Sequence, residues 1–437
     1  MDAILFWNAV SLEAVAVDHT IDPSERKQAG PTRTSRALAI VHLAMYDAFN
    51  SIANIFTPYL PNLPVPSANA SRRAAIGEAA FVTLAALYPN QQAFFYQKSQ
   101  DFFADLMLSV DVIDKGKAQG RKVAEALLKT RANDGASQEF PYNPSQNAGR
   151  HRVDPLNPGQ GFLGVNWGQV QPFVLNNVQA FVAAPPPDLS SAVYATSFND
   201  VKAKGTKTGS TRTPEETTIG IYWAYDGPKN IGTPPRLYNQ IVRVIAMQRN
   251  NSLEQNVRLF ALVNAAMGDA GIQCWYSKYF YNIWRPVLGI REGDARWGPT
   301  GQGDVNLSTS GDPFWLPLGA PRTNEPGKTN FTPNFPAYPS GHATFGSASL
   351  GIVRSFYGTD NIAFEFISDE FNGINIDIDG AIRPRHNRSF STLSQAIQEN
   401  ARSRIYLGVH WQFDADSGVE SGEQISQYIF NNALKPQ

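Results

Sequence analysis

Apolar residues recur at the three- and four-residue spacing of an α-helix through most of the chain, and this pattern constrains the fold more than any other feature. Between Thr34 and Ile52, for example, Ala37, Val41 and Ala44 fall on one face. The same spacing predicts helices over residues 34–52, 70–88, 91–108, 111–132, 188–204, 214–225, 235–249, 254–287, 343–357, 362–372, 390–407 and 418–433. Strand patterns are limited to short runs near 161–175, and residues 1–30 read as a short apolar segment followed by a polar one. The sequence therefore predicts an all-α protein built from helical bundles.

Two long irregular stretches interrupt the helices, over residues 134–187 and 289–338. Both are rich in Gly and Pro, and loops of this length often carry function or cover a site. Apolar residues make up 42% of the 437 residues, enough for a sizeable core.

The charge balance argues against two classes of partner, and the cysteine count excludes two kinds of cysteine site. With 37 basic and 38 acidic residues, nothing suggests nucleic acid or an anionic membrane surface. The single cysteine, Cys274, excludes an intramolecular disulfide and a multi-cysteine metal site. The N-terminal residues lack a basic region, and no apolar run reaches 18 residues. We expect a soluble protein without a cleavable signal peptide, in the cytoplasm or secreted by another route.

The motif Pro339-Ser340-Gly341-His342 precedes a predicted helix. A helix N-terminus presents free N–H groups to an anion, Ser340 adds a hydroxyl, and Gly341 lets the backbone approach a ligand closely. His342 would then stand at the site as an acid or base. The alternative is an ordinary helix cap.

Two cations, Lys278 and Arg285, are seven residues apart in the helix predicted over 254–287. On one helix face this spacing corresponds to about 10 Å of rise, with Trp275 one turn earlier. An anion between the two cations would explain the arrangement, and a solvated basic face is the alternative. The neighbouring residues are strongly apolar, which favours a buried helix in which lone cations are costly.

Arg404, His410 and Asp414 form a third group near the C-terminus. Gly408 offers a helix end after which His410 could turn back toward Arg404, and Asp414 could fix the tautomer of the imidazole. For each of these residues, an ordinary place in the core or at the surface is the alternative. His42 and Asp47, in the helix predicted over 34–52, are expected to be packed or surface residues rather than ligands.

Taken together, these groups suit a tetrahedral or bipyramidal oxyanion held by charge-assisted hydrogen bonds. One histidine could act as nucleophile or metal ligand and the other as acid or base. No cluster of carboxylates and histidines suits a divalent cation.

The order of these blocks resembles the signature of the vanadium-dependent haloperoxidases, shared with the type 2 phosphatidic acid phosphatases. The blocks are Lys278-x6-Arg285-Pro286, Pro339-Ser340-Gly341-His342 and Ser403-Arg404-x5-His410-x3-Asp414. Further segments look like the fungal chloroperoxidase branch, namely Trp223-Ala224-Tyr225-Asp226-Gly227, Asp312-Pro313-Phe314-Trp315 and Leu407-Gly408-Val409-His410-Trp411. The likeness runs from about residue 210 to the C-terminus and is fainter over 34–52. The chain is shorter than the fungal enzymes, mostly between His386 and Ser403.

The resemblance implies two four-helix bundles, over about 1–205 and 206–437, with the cofactor in the second. The cofactor would be vanadate, with no haem, bonded to a nitrogen of His410. Its oxygens would be held by Lys278, Arg285, Ser340, the Gly341 amide and Arg404. His342 would be the acid/base, Asp226 would pair with Arg404, and the halide side would be lined by Trp275, Pro333, Phe335 and Ala337.

The implied reaction is oxidation of a halide by hydrogen peroxide to hypohalous acid, which halogenates a small organic acceptor. His342 would take a proton from peroxide and Lys278 would polarise the bound peroxide. A histidine stands in the bromoperoxidase branch where this chain has Phe335, which favours chloride. One alternative is a phosphomonoesterase in which His410 attacks phosphorus. The other is a non-catalytic oxyanion-binding protein. Halide preference, acceptor and oligomeric state stay open.

Overall fold

Helices make up most of the regular structure in residues 2–437, the part of the chain that the computed structural model describes. This part contains thirteen α-helices and one antiparallel pair of short strands. The helices are α1 (Ala3–Asp18), α2 (Gly30–Ala53), α3 (Arg72–Leu87), α4 (Gln92–Ala104), α5 (Val110–Arg131), α6 (Ala192–Lys204), α7 (Pro214–Tyr222), α8 (Pro234–Gln248), α9 (Leu253–Tyr281), α10 (Pro286–Arg291), α11 (Gly341–Tyr357), α12 (Leu393–Tyr406) and α13 (Gln412–Asn432). The strands are β1 (Phe364–Ile367) and β2 (Asn387–Phe390), with Phe364 opposite Phe390. The all-α prediction is confirmed.

Helix α9 is the longest and is buried along most of its length. A reciprocal cap starts it: the Ser252 hydroxyl accepts from the Gln255 amide, and the Gln255 side chain accepts from the Ser252 amide. It packs against α2, α11 and α13. Because α9 contacts helices from both ends of the chain, its C-terminal turn can gather residues from distant segments.

Helices α11 and α13 make the most extensive helix contact, and two glycines on α13 bring them together. A side chain at Gly418 would meet the carbonyl oxygen of Ser340, and one at Gly422 would overlap the carbonyl oxygen of Thr344. The close approach is fixed further by a hydrogen bond from the Ser340 amide to the Asp414 carbonyl at 2.8 Å. The start of α11 is therefore held beside the start of α13.

Most predicted helices are confirmed, with ends shifted by a few residues: α2 to α8, α11 and α12 occupy the predicted segments, and α13 begins earlier than predicted, at Gln412. One helix was not predicted, and two other predictions were wrong. Residues 3–18 form α1, whose N-terminus is capped by Asp2 and which is buried on most sides, so it lacks the periodic polar face that signals a helix. Residues 161–175 contain the short 3-10 helix Trp167–Gln169 in place of a strand. The segment 362–372 contains β1 and a 3-10 turn instead of a helix.

The helix predicted over 254–287 is broken, which corrects the placement of Lys278 and Arg285 on one face. Helix α9 ends at Tyr281, and Asn282 adopts the left-handed conformation with φ 57°. Arg285 is extended because it precedes Pro286, which disfavours the helical conformation of the residue before it. Arg285 is thus the N-cap residue of α10.

The division into bundles over about 1–205 and 206–437 stays a prediction, because α2 from the first part packs against α9 from the second. Within residues 2–437, every helix is too short or too polar to cross a membrane.

Candidate active site

Lys278 lies in the last turn of α9 and is fully buried. Its ammonium group donates to the carbonyls of Pro336 and Ala337, each at 3.0 Å, and to that of Pro339. These bonds fasten the segment before α11 to the end of α9. Burial lowers the pKa of Lys278 to about 7, and the charge of Arg285 acts in the same direction.

Arg285 joins this segment to the loop that follows α12. Its Nε donates to the Phe335 carbonyl at 2.8 Å, and Nη1 donates to the Val409 carbonyl at 2.8 Å and lies 2.9 Å from His410 Nε2. Nη2 is buried without a protein partner. Burial lowers the pKa of Arg285 to about 9. The guanidinium therefore still carries its charge at neutral pH and directs it toward His410.

His410 is held by the first turn of α13. Its Nδ1 lies 2.9 Å from Asp414 Oδ2, which also accepts from the Trp411 amide at 2.9 Å. The carboxylate assigns the proton to Nδ1, so Nε2 keeps its lone pair and faces Arg285. Burial lowers the pKa of His410 well below its ordinary value, and Arg285 adds to this. The expected fixing of the tautomer by Asp414 thus has its geometry, and a neutral imidazole with a free Nε2 is the form that ligates a metal.

His342 lies in the first turn of α11, with its Nε2 against the carbonyl oxygen of Ala224. This contact assigns the ring proton to Nε2 and leaves Nδ1 as the acceptor. Burial, and then the charge of Arg404, lower the pKa of His342 to about 3. His342 is therefore neutral and able to accept a proton.

Arg404 forms the ion pair with Asp226 that the resemblance implied. Nη1 donates to Oδ2 at 3.0 Å and Nη2 to Oδ1 at 2.8 Å, in a bidentate arrangement. The arginine is fully buried, and its Nε has no protein partner. Asp226 follows Tyr225, a non-glycine residue with φ 42°. This turn after α7 places the carboxylate against α12.

One cavity of about 270 Å³ connects these groups. Its buried end is lined by Gly341, His342, Arg404 and His410, and its wall includes Trp275, Pro333 and Phe335. Lys278, Arg285 and Ser340 are not among the lining residues and lie directly behind them. Ala337 does not line it either: it packs in the core, and its carbonyl accepts from Lys278, so its expected place in the halide pocket is not observed.

The donor set fits an oxyanion. Arg404 Nε is buried and unpaired at the cavity, and the first amides of α11, beginning with Gly341, have no acceptor within the helix. Three cations, Lys278, Arg285 and Arg404, surround this end against the carboxyls of Asp226 and Asp414. Burial brings the pKa values of both Asp414 and Lys278 to about 7, so each of them carries only part of its charge at neutral pH, and the two guanidiniums outnumber the carboxylate of Asp226. The site therefore keeps an excess of positive charge for an anionic group.

The mouth of the cavity is formed by residues that the sequence analysis did not select. They come from three distant segments: Arg26 and Gly30 from the N-terminus, Gln160 and Leu163 from the first long loop, and Arg322 and Phe331 from the second. The buried His19 also lines the cavity. The length of both loops signalled a functional role, but no local pattern marks these particular residues.

His151 is a second omission. Both its ring nitrogens are buried without a protein partner, and it shares with Arg285 a second cavity of about 10 Å³, with room for about one water molecule. Its isolated position in a Pro- and Asn-rich loop gave no signal of this contact.

Comparison with known proteins identifies the family of this chain. The family model described as the vanadium chloroperoxidase N-terminal domain matches residues 1–163, and the model described as the VCPO second helical-bundle domain matches residues 258–436. The vanadium chloroperoxidase of Curvularia inaequalis is 37% identical over an alignment that covers 94% of this chain and 79% of that protein.

Solved structures show the same fold. The first bacterial vanadium-dependent iodoperoxidase superposes with a TM-score of 0.77 at 22% identity, covering 98% of this chain and 96% of that one. A holo-type bacterial vanadium-dependent chloroperoxidase gives a TM-score of 0.67 at 17% identity, with 94% of each chain covered. From its domain matches and its identity to the fungal enzyme, the chain belongs to the vanadium chloroperoxidase family.

Proposed function

We propose that this protein is a vanadate-dependent haloperoxidase that uses hydrogen peroxide to oxidise a halide ion to hypohalous acid. The observation that carries the proposal is the buried end of the cavity. There the unpaired Nε of Arg404, the start of α11 and His410, whose unprotonated Nε2 accepts from Arg285, meet an apolar wall of Trp275 and Phe335. Membership of the vanadium chloroperoxidase family supports it.

His410 Nε2 would ligate the vanadium, since the Asp414 contact leaves it unprotonated, and it would exchange its present hydrogen bond from Arg285 for the metal. Arg404, Arg285, Lys278, Ser340 and the Gly341 amide would hold the oxygens. Bound vanadate supplies a Lewis-acidic centre that activates peroxide without a change of oxidation state. Lys278 already uses its three N–H groups on backbone carbonyls, so it must exchange one of these bonds to reach an oxyanion.

His342 accepts a proton from hydrogen peroxide, because its neutral ring offers a lone pair. Loss of this proton makes the peroxide nucleophilic. Burial and then the charge of Arg404 are the causes of the low pKa of His342, and negative charge bound beside Arg404 would raise it. Lys278 stabilises negative charge that develops on the departing peroxide oxygen. Trp275 and Phe335 keep water away from the halide, and Asp226 holds Arg404 in place.

For the halide, we propose chloride together with the more easily oxidised bromide and iodide. An apolar ring at Phe335 supports this, because its face packs 5.1 Å from the Lys278 ammonium and 4.9 Å from the Arg285 guanidinium. A halide ion beside the apolar Phe335 ring would lose part of its hydration shell. The nearby charges of Lys278 and Arg285 would offset this loss.

Peroxide-dependent oxidation of chloride, bromide and iodide by the purified protein tests the proposal. We expect activity that requires added vanadate and is suppressed by phosphate, which competes for the same cage. The weakest reductant still oxidised defines the halide range. Absence of halide oxidation, combined with vanadate-inhibited hydrolysis of a phosphate monoester and a trapped phosphohistidine at His410, would establish the phosphatase alternative.

A further inference from the structure

The cavity is larger than the proposed reaction needs. A peroxide molecule and a halide ion each occupy a few tens of Å³, on the scale of the roughly 30 Å³ per water molecule in the liquid. The cavity measures about 270 Å³ and extends from fully buried residues to a half-exposed mouth. The space beyond the oxyanion end is therefore enough for a small organic molecule.

The mouth carries two arginines from separate loops, Arg26 and Arg322. Arg26 donates from Nε to the Ile21 carbonyl at 3.2 Å. Arg322 lies 3.6 Å from Glu325. Asp18 accepts from the Lys27 and Gln28 amides, each at 2.9 Å, and its charge acts on Arg26 together with those of Glu325 and Asp22. The N–H groups of Arg26 and Arg322 are therefore the charged donors that an anionic ligand would meet at the mouth.

Arg322 is also held in a fixed position. Its guanidinium lies 4.3 Å from the centre of the Phe331 ring, a cation–π contact that orients its planar edge. Phe331 belongs to the same cavity wall as Leu163 and Pro31. Farther in, Trp275 and Phe335 pack with ring centres 4.7 Å apart. The cavity thus has three zones: an arginine-lined mouth, an apolar middle and the oxyanion end.

We propose that this cavity binds a phenolic carboxylic acid as the organic acceptor, with the carboxylate at Arg26 and Arg322 and the ring in the apolar middle. The proposal rests on the proposed function, because the ring must face the end at which hypohalous acid forms. An electron-rich ring is required since the halogen arrives as an electrophile. The halogen of hypohalous acid bonds to a ring carbon, that carbon loses its proton, and the hydroxide and proton leave as water. Halogenation then takes place inside the protein and selects among acceptors.

A competition experiment tests this. Equal amounts of para-hydroxyphenylacetate and its methyl ester are halogenated by the vanadate-loaded enzyme with bromide and peroxide, and the same mixture is treated with reagent hypobromous acid. The two rings have nearly the same intrinsic reactivity. We expect the enzyme to favour the carboxylate over the ester at least fivefold relative to the reagent.

The variant Arg26→Gln/Arg322→Gln should return the ratio to that of the reagent. The matched control, Lys27→Gln/Lys328→Gln, removes two exposed cations from the same two loops and should keep the wild-type ratio. Calorimetric titration of para-hydroxyphenylacetate into the vanadate-free protein gives a second readout. Binding should be saturable in the wild type and the control and at least tenfold weaker in the arginine variant.

Iodide oxidation without an organic acceptor separates the two proposals. It should be equal in all three proteins, because neither arginine belongs to the oxyanion end. If no protein oxidises iodide, the proposed function fails while the titration still decides whether the subsite exists. A reagent-like ratio in the wild type together with no saturable binding would overturn the subsite and mean that hypohalous acid reacts in solution. If the double variant does not fold, the two single variants and the wild-type preference decide.

Discussion

At the scale of single residues, Lys278 bonds three backbone carbonyls and is also proposed to stabilise negative charge during the reaction. Its removal tests both roles. We expect Lys278→Ala to lower the rate of halide oxidation by about 100-fold or more at saturating vanadate, the usual effect of losing one donor to developing negative charge. Three backbone carbonyls also lose their donor, so stability should fall by about 1–3 kcal/mol. Steady-state kinetics and urea unfolding measure the two effects.

Lys129→Ala, at an exposed position on α5, is the matched control and should change neither quantity. Equilibrium dialysis of vanadate has to accompany the kinetics, because an empty site would also be inactive. A Lys278→Ala protein that binds vanadate and oxidises halide at the wild-type rate would disprove the polarising role.

The ion pair between Asp226 and Arg404 presents a second test at this scale. Asp226→Asn keeps the shape but removes the charge, leaving a fully buried arginine without its counter-ion. Because breaking a buried pair typically costs about 3–5 kcal/mol, we expect clear destabilisation. We also expect the Kd for vanadate to rise about tenfold, since Arg404 is no longer oriented. Unchanged vanadate affinity in a folded Asp226→Asn protein would mean that Arg404 does not hold the oxyanion.

His42 illustrates a histidine whose role is packing. It is buried, its Nδ1 contacts the Leu38 carbonyl at 2.7 Å and its Nε2 the Asn8 side chain at 2.9 Å. The packed role favoured from the sequence is therefore confirmed. Burial lowers its pKa from 6.5 to about 4. Between these values the unfolded chain binds more protons, so the stability that His42 confers is complete above pH 6.5 and is lost as the pH falls toward 4.

The difference in unfolding free energy between the wild type and His42→Gln isolates this effect, because every other titrating group cancels. We expect the wild-type advantage to shrink by roughly 2–3 kcal/mol between pH 7.5 and pH 4.5. Urea unfolding followed by circular dichroism at several pH values measures it. A constant difference across this range would show that His42 has the same pKa in the folded and the unfolded protein.

At the scale of elements, the contact between α11 and α13 determines how Ser340 and His342 face His410. At an exposed helix position, replacing Gly by Ala stabilises a protein by about 1 kcal/mol. At Gly422 the new methyl group would overlap the Thr344 carbonyl, a backbone atom that cannot rotate away. Gly422→Ala should therefore destabilise the protein by about 1–3 kcal/mol and weaken vanadate binding, because the helices must separate.

Gln427→Ala, on the exposed face of the same helix, is the control and should be neutral or slightly stabilising. Thermal unfolding and vanadate dialysis on both variants complete the test. If Gly422→Ala gains stability, the two helices can move apart freely and their spacing does not shape the site.

Elements with a marked polar face and a clear cap could be predicted from the sequence, and those decided by tertiary packing could not. Helix α8 shows a clean apolar face and was located within a residue or two, whereas α1 is buried on most sides and was missed. The break after Tyr281 did have a signal, because Pro286 forces Arg285 out of the helical conformation. Strand β1 alternates buried and exposed residues, but four residues are too few to outweigh the helical pattern.

For the whole molecule, the buried end of the site could be predicted and its mouth could not. Lys278, Ser340, His342, Arg404 and His410 stand in spaced blocks that chemistry explains. The mouth joins residues more than 100 positions apart, such as Arg26 and Arg322, and no local pattern encodes that meeting. Such contacts depend on the way α9 packs against both α2 and α11.

The same packing has a thermodynamic consequence. Because the cavity is lined by residues from His19 to His410, vanadate bound there should stabilise both parts of the chain together. At a concentration of 100 times the Kd, binding contributes about 2.7 kcal/mol, which for a chain of this length corresponds to a rise in Tm of about 3 °C. Differential scanning calorimetry should show one transition that moves as a whole.

His410→Ala, which removes the proposed ligand to vanadium, should show no shift with vanadate, and phosphate should reduce the shift in the wild type. The alternative is two transitions of which vanadate moves the later one. That result would mean that residues 1–205 unfold independently of 206–437. The N-terminal segment that carries His19 and Arg26 could then unfold and open the cavity while the oxyanion end stays folded. A single transition would instead make the two predicted bundles one cooperative unit, in which the packing of α2 on α9 links the mouth of the cavity to the bound vanadate.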